Sequence, residues 1–524
     1  MCQESDIGEN EMKNFDLGDS KVLIVKQKGK ISAIGTKCSH YGALLSTGAL
    51  GDGRIRCPWH GACFNIETGD IEDHPGQDSI PCYQVRVEKG QVKVRAKKSD
   101  LQSNKRTKMM AQRDDKDERT FVIIGGGPSG QTAAEAIRQN GFAGRLVMVC
   151  KESSLPYDRI KLSKTMDATP ESILLRTQKF YDDNHIETMM NVEASSLDTA
   201  GKEITLNNGY KIKYDKVYIA TGSTPRKAPV AGADLKNVVT LRNIADAQYI
   251  NGQLNDQTHV VVLGVSFIGL EAAAYCVKKA AKVTVIGRDS VVLRPTFGEA
   301  VGMRIMKMFE AEKVEFVMNS GIKKCNGNAE GALESVELND GSILKADICI
   351  MGVGSTLNTD FLKTSGLTLN KNGSIDTNAF LESSTADVYI GGDIANSPVY
   401  SSGNQLSTIG HYPLAQYHGR TAGFNMAGKA QELKVVPFFW TMLFGKSFRY
   451  CGHGKPAEVH IEGNIEDLKF VAFYLNEAGT VIAMSSCGRD PVVSQFAEYL
   501  TQGKSLTKSD IQEDAFAWIQ KLNK

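Results

Sequence analysis

The chain has 524 residues, 41% of them hydrophobic, and its 61 basic and 60 acidic side chains leave a formal net charge of +1. That length supports three or four domains with real cores, and the balanced charge argues against a dedicated nucleic-acid binder. Eleven scattered cysteines suit an intracellular protein better than a secreted disulfide framework, and without a run of eighteen apolar residues no membrane-spanning helix is expected.

The opening, MCQESDIGENEMKNFD, is acidic and has neither signal-peptide nor arginine-rich transit-peptide character, which sets a cytoplasmic expectation. Residues 19–97 then read as short strands, among them KVLIVKQ, ISAIG, YQVRVEKG and QVKVRA, separated by Gly-containing turns; together they suit a small all-β module. Inside it stand Cys38-Ser39-His40 and, after sixteen intervening residues, Cys57-Pro58-Trp59-His60. Zinc fingers pair cysteines with cysteines and histidines with histidines, whereas each pair here is mixed. A Rieske [2Fe–2S] centre has two histidines in place of two cysteines on one iron, so each loop can give its sulfur to one iron and its imidazole to the other. The cluster is the preferred reading, with zinc as the alternative. Gly42 and Gly61-Ala62 let backbone amides approach the sulfides, and Cys63 reads as a packed thiol. The stretch resembles the Rieske ferredoxin family at Cys38, His40, Cys57 and His60. High-potential members brace the two loops with a disulfide where this chain has Ala43 and Trp59. The resemblance therefore implies the low, ferredoxin-like end of a range of roughly −150 to +300 mV.

Residues 97–119, KKSDLQSNKRTKMMAQRDDKDER, are highly charged and aperiodic, and read as a linker (98–119) with a solvated, tether-like basic middle. The composition then changes to strand FVII, the loop Gly125-Gly126-Gly127-Pro128-Ser129-Gly130, a helix, and a second strand RLVMVC ending at Lys151-Glu152. Strand, G-x-G-x-x-G and helix in that order form a dinucleotide fingerprint. Gly125 permits the tight turn, Gly127 the approach of a pyrophosphate and Gly130 close helix packing, with the phosphates at the helix N-terminus. A carboxylate at Glu152 can accept ribose hydroxyls. The unit recurs at HVVVLG, with Gly264, Ser266, Phe267, Ile268, Gly269 and Glu271, followed by KVTVIGRD. Gly354 belongs to the same candidate site. Two such folds suggest two dinucleotides, most simply a flavin and a nicotinamide.

Between and after the two units lie PYDRIKLSK, YIATGSTPR, VYIGGDIA, HYPLAQYHGRTAGFNMAG and VPFFWTMLFG. This ordered set resembles the two-dinucleotide flavoprotein reductases of the ferredoxin-reductase and apoptosis-inducing-factor type, and with the N-terminal module it looks like their Rieske-bearing branch. The resemblance implies a multidomain fold: an all-β Rieske domain (1–97), two α/β Rossmann-like domains and a C-terminal α+β domain (437–524). The FAD domain (120–242 and 366–436) is split around an NAD(P) domain (243–365). It further implies that Arg159, Lys164 and Arg242 contact FAD, with Lys164 at the redox edge as the catalytic cation. Asp393 would accept a ribityl hydroxyl, Trp440 would lie against the isoalloxazine, and Ala194 would touch adenine through its backbone. Ile160-Lys161 stand where relatives often carry two prolines.

Cys150 is the only cysteine between 120 and 180, so the C-x4-C pair of the disulfide reductases is missing and reduced flavin has no dithiol to serve. A flavin exchanges electrons singly or in pairs, so the expected order is NAD(P)H, FAD, the chain's own cluster, then an unknown acceptor. Arg288 and Arg294 resemble the two arginines that grip the 2′-phosphate of NADPH, while Asp289 could bond a 2′-OH; NADPH is weakly favoured, with dual use expected. An alternative is a nicotinamide-switched signalling protein with slow turnover. An oxygenase is disfavoured, because no 2-His-1-carboxylate pattern accompanies the remaining histidines; His411 and His418 read as core or cofactor packing. The family resemblance raises a mitochondrial location, and monomer against homodimer stays open.

Overall fold

In the computed structural model, which describes residues 1–523, the N-terminal strands form two antiparallel sheets. The larger runs in the order Cys2–Gln3, Gln91–Arg95, Cys82–Glu88, Lys30–Gly35, Ser20–Gln27, Glu11–Leu17. The run Val22, Leu23, Ile24 and Val25 does not alternate with polar residues because both faces of its strand are covered: all four are fully buried. Leu23 and Val25 face the cluster loops, while Val22 and Ile24 pack with Ile7 and Tyr83. The smaller sheet, Ala49–Leu50, Arg54–Arg56, Cys63–Asn65 and Ile71–Asp73, carries the Cys57–His60 loop in one of its connections.

A five-stranded parallel sheet follows, ordered Ile186–Met190, Arg145–Cys150, Thr120–Ile124, Lys216–Ile219, Val388–Ile390. Its last strand arrives only after an intervening fold, so this unit is discontinuous in sequence. The helices Pro128–Gln139 and Tyr412–Met426 lie against each other at unusually close range. A Cβ on Gly419 would stand 2.0 Å from the Ser129 carbonyl, and one on Gly423 2.6 Å from the Ala136 methyl. The intervening fold is a second parallel sheet, Val238–Val239, Ile348–Met351, His259–Leu263, Lys282–Ile286, Val314–Val317.

The C-terminal antiparallel sheet, Phe438–Leu443, Lys446–Gly452, Val481–Cys487, Lys469–Leu475, Glu458–Asn464, divides its side chains by the period of two. Phe448, Tyr450, Phe470 and Tyr474 join the core of the second parallel unit. Cys451, Val471, Phe473 and Met484 pack instead with Trp518 and the helix Val492–Thr501.

One expectation changes here. The segment 98–119 is a strap along the surface, not a solvated tether. Asn104 donates to the Cys38 carbonyl, Arg106 to the Ile80 carbonyl and Asp70, and Ala111 N–H to the Arg138 carbonyl. Its polar side chains find fixed acceptors on both units it joins. The N-terminal module is docked as well: Tyr41 hydrogen-bonds Asp158, and the Trp59 carbonyl accepts from Arg449 of the C-terminal sheet. Among the described residues, no helix is long and apolar enough to cross a membrane.

Candidate functional site

The two Cys/His loops are built alike. The Cys38 N–H donates to the Ala43 carbonyl and the Cys57 N–H to the Ala62 carbonyl, each five residues on. Each loop turns at a left-handed glycine, Gly42 (φ +77°) and Gly61 (φ +79°), a conformation other residues rarely take. At Gly61 a side chain would also strike Phe438 at 2.9 Å. Cys38 and Cys57 are both 1% exposed, and their thiols lie close enough to influence each other's ionisation. The His40 and His60 Nδ1 atoms face each other at 3.1 Å. Burial pulls His40 down to about 3 and His60 to about 2, so both rings are neutral and can offer a lone pair. Two thiols together and two imidazoles together is the donor set of a [2Fe–2S] cluster with histidines on one iron.

In the first Rossmann loop each glycine has its own reason. At Gly125 (φ +122°) a Cβ would stand 2.2 Å from the Ala220 carbonyl, and at Gly130 1.9 Å from the Gly125 carbonyl. At Gly126 it would meet the Cys150 sulfur at 2.5 Å, but at Gly127 it would meet nothing within 4 Å. Gly127 therefore borders open space at the N-terminus of the Pro128–Gln139 helix, which suits a pyrophosphate. Pro128 opens that helix and Ser129 hydrogen-bonds Tyr218 at 2.6 Å. Beyond the second strand, Glu152 is bound by Tyr157 and Arg159, and Arg159 also donates to the Arg242 carbonyl at 3.1 Å. Lys151 is a surface residue, 2.8 Å from Glu193, and Ala194 is buried at the start of the Ala194–Asp198 strand.

Asp393 sits in the turn after the last strand of this sheet. Its Oδ2 accepts from the Ser223 hydroxyl at 2.7 Å and from Arg242 at 3.3 Å. Buried His418 accepts the Gly392 N–H at 3.1 Å and holds the turn. Nearby, the Tyr412 hydroxyl and His411 Nδ1 are buried without a partner; such orphaned groups beside an open cradle fit a large polar cofactor. Lys164 lies 2.7 Å from Glu271, which reaches across from the second Rossmann helix, and Thr441 of the C-terminal sheet donates to the other carboxylate oxygen at 2.7 Å. Three units thus meet at one ion pair. Trp440, one residue earlier on the same strand, lies 4.2 Å ring to ring from His60 and 5.8 Å from His40.

The second Rossmann loop repeats the first. Gly264 has φ +119°, and a Cβ on Gly269 would stand 2.3 Å from the Gly264 carbonyl. Ser266 has φ −84° and ψ 176°, matching Gly127 at −81° and −175°, so the replacement needs no left-handed backbone. Phe267 packs edge-on against Phe297 and Phe439, and Ile268 is exposed. Gly354 (φ +98°) turns beside Arg226. Arg288 is exposed, and Arg294 lies 3.3 Å from Glu299; among the described contacts the two arginines share no partner.

The model for the pyridine nucleotide-disulphide oxidoreductases matches residues 119–419, and that for the Rieske [2Fe-2S] domain matches residues 1–84. The chain belongs to the pyridine nucleotide-disulphide oxidoreductase family. It is 39% identical to apoptosis-inducing factor 3 of Mus musculus over 98% of its own length and 85% of the relative's. It is 30% identical to the ferredoxin–NAD(+) reductase subunit of the benzene 1,2-dioxygenase system of Pseudomonas putida, over 66% and 83%. A solved structure, the ferredoxin reductase for the CYP199A2 system of Rhodopseudomonas palustris, superposes with a TM-score of 0.72 at 26% identity, covering 77% of this chain and all of that one. As an oxidoreductase of this family with a Rieske domain, the chain uses a [2Fe–2S] cluster, FAD and a nicotinamide. The donor set and the glycine cradles above fit these three groups.

Several site residues escaped the sequence reading. Ser223 fixes Asp393 directly, and His418, read as core or cofactor packing, holds Gly392 beside it; both stand in stretches the sequence singled out, but neither carries a signal of its pairing. The Rieske domain is seated by Tyr41 on Asp158 (3.0 Å), Arg449 on the Trp59 carbonyl (2.8 Å) and Ser494 on the Cys57 carbonyl (3.0 Å). Beneath the second loop, buried Arg56 lies between Glu498 (2.6 Å) and Asp73, and Arg54 also reaches Glu498 at 2.9 Å. Cys63 is a packed thiol that donates to Glu498 at 3.7 Å.

Proposed function

We propose that this oxidoreductase passes electrons from NAD(P)H through FAD to its own Rieske cluster and from there to an external acceptor. The observation that carries the reading is the seating of the cluster histidines on Trp440, at 4.2 Å from His60, beside the Lys164–Glu271 pair of the flavin loop. When bound, the nicotinamide would supply a hydride, and FAD would convert that electron pair into the single electrons a [2Fe–2S] cluster takes. The chain's own residues hold these groups. Gly125, Gly126, Gly127 and Gly130 admit the FAD pyrophosphate, Glu152 and Ala194 border its adenosine end, and Arg159, Arg242 and Asp393 bind its polar middle. Lys164 holds a positive charge where negative charge grows on reduction, and Glu271 with Thr441 fixes the position of that ammonium. Gly264, Ser266 and Gly269 admit the nicotinamide dinucleotide. Cys38, Cys57, His40 and His60 hold the cluster.

The ferredoxin–NAD(+) reductase relatives are named for passing electrons to a separate protein; here the Rieske domain stands in the same chain. Anaerobic titration with NADH and with NADPH, followed by visible and EPR spectra, tests the reading: FAD and cluster should both be reduced. Reduction of FAD alone would refute the route. The name of the 39%-identical relatives, apoptosis-inducing factor 3, supports a second reading, a nicotinamide-switched signalling surface. Turnover slower than the lifetime of the nicotinamide complex would favour it, and fast cluster reduction would exclude it.

A further inference from the structure

The two cluster loops present an apolar rim to solvent. Tyr41, Leu44 and Trp59 are 44%, 46% and 41% exposed. Isolated exposed apolar side chains are ordinary, whereas a contiguous group marks a contact surface. This group is contiguous through the cluster histidines. The Tyr41 ring stacks on His40 at 3.7 Å and meets His60 edge-on at 5.5 Å, and Trp59 lies 6.3 Å from His60. Leu44 closes the first loop, bridged to Lys37. Trp440 covers the same histidines from the reductase side. The imidazoles therefore have Trp440 on the reductase side and two partly exposed rings beside them, Trp59 and Tyr41, the latter tied by its hydroxyl to Asp158.

The charges around this rim have one dominant sign. Lys105 and Lys161 face His40, and Arg449 and Lys164 face His60. Lys164 and Arg449 are paired, with Glu271 and Asp490. Lys37 and Lys105 are exposed, and neither they nor Lys161 enter an ion pair among the described residues. Of the acids at the rim, Asp490 is the partner of Arg449, and Asp158 is half-buried and accepts the Tyr41 hydroxyl. An aromatic centre with a charged edge is the anatomy of a recognition surface, and its unpaired lysines complement a negative partner.

We propose that the rim of Tyr41, Leu44 and Trp59, flanked by Lys37, Lys105 and Lys161, docks the external electron acceptor, a one-electron redox protein with an acidic surface. The inference rests on the reading that electrons leave through the cluster. Each NADH oxidised to NAD+ and a proton then reduces two acceptor molecules by one electron each. An anionic membrane would also meet a basic and apolar surface, but the contact of the exposed rings with the cluster ligands favours a redox partner.

The test uses the full-length holoprotein with two probes of opposite charge: cytochrome b5, an acidic haem protein, and cytochrome c, a basic one. Titration calorimetry should show cytochrome b5 binding with an affinity that falls as salt rises, and no comparable binding of cytochrome c. The double variant Lys37→Glu/Lys105→Glu should weaken cytochrome b5 binding about tenfold or more, and Leu44→Asp should act in the same direction. NADH reduction of the cluster, followed by stopped flow, should be unchanged in both variants. Equal binding of the two cytochromes, an unchanged affinity in the double variant, or binding of phosphatidylserine vesicles in place of cytochrome b5 would overturn the proposal. If NADH reduces FAD but leaves the cluster oxidised, the internal route fails, while the calorimetry still decides the docking surface.

Discussion

The Lys164 ammonium is held by a carboxylate from a different unit, and that carboxylate by a hydroxyl from a third. Replacing Lys164 with Ala leaves Glu271 buried without its countercharge, at the proposed redox edge of the flavin. Flavin reduction by NAD(P)H should slow about tenfold or more, and the flavin absorption should shift. Unchanged kinetics and spectrum would mean that the LSK loop does not reach the redox edge. Arg288, exposed after the Lys282–Ile286 strand, is free to meet a 2′-phosphate, whereas Arg294 is already engaged by Glu299. Arg288→Ala should therefore raise the KM for NADPH about tenfold and leave that for NADH nearly unchanged. Equal effects on both nucleotides, or none, would show that Arg288 does not read the 2′ position.

Strand, glycine loop and helix form one element, and its glycines separate folding from binding. A methyl on Gly130 has no room, at 1.9 Å from the Gly125 carbonyl, while one on Gly127 meets nothing within 4 Å. Gly130→Ala should lower the thermal midpoint even of the FAD-free protein. Gly127→Ala should leave that midpoint in place and weaken FAD binding, seen as flavin lost on gel filtration. Equal destabilisation by both would mean that Gly127 is also packed against protein. This element was legible in the sequence because its physics is local: the tight turn, the close helix and the flanking strands all lie within thirty residues. The C-terminal sheet was readable only from family resemblance. The side chains on its two faces serve two different cores, a division no short pattern records.

At the scale of the whole molecule, the Rieske domain is fixed in place. Arg56 and Glu498 are each 1% exposed, 2.6 Å apart and 442 residues apart in sequence. Neither residue announced the pairing, since a buried arginine looks like a surface one until its partner is known. The charged strap was misjudged for the same reason. Removing one partner of a buried ion pair costs about 3–5 kcal/mol, so Glu498→Gln should lower the thermal midpoint and slow cluster reduction while sparing flavin reduction. Loss of both activities together would mean that the pair supports the flavin unit as well. The seating of His60 on Trp440 supports the central proposal, reduction of the cluster by the flavin of the same chain. Rapid-freeze EPR after mixing anaerobic holoprotein with NADH or NADPH measures this directly, over a range of protein concentrations. The Rieske signal should grow with a first-order rate independent of protein concentration. A rate proportional to protein concentration, or a cluster that stays oxidised while the flavin is bleached, would contradict it.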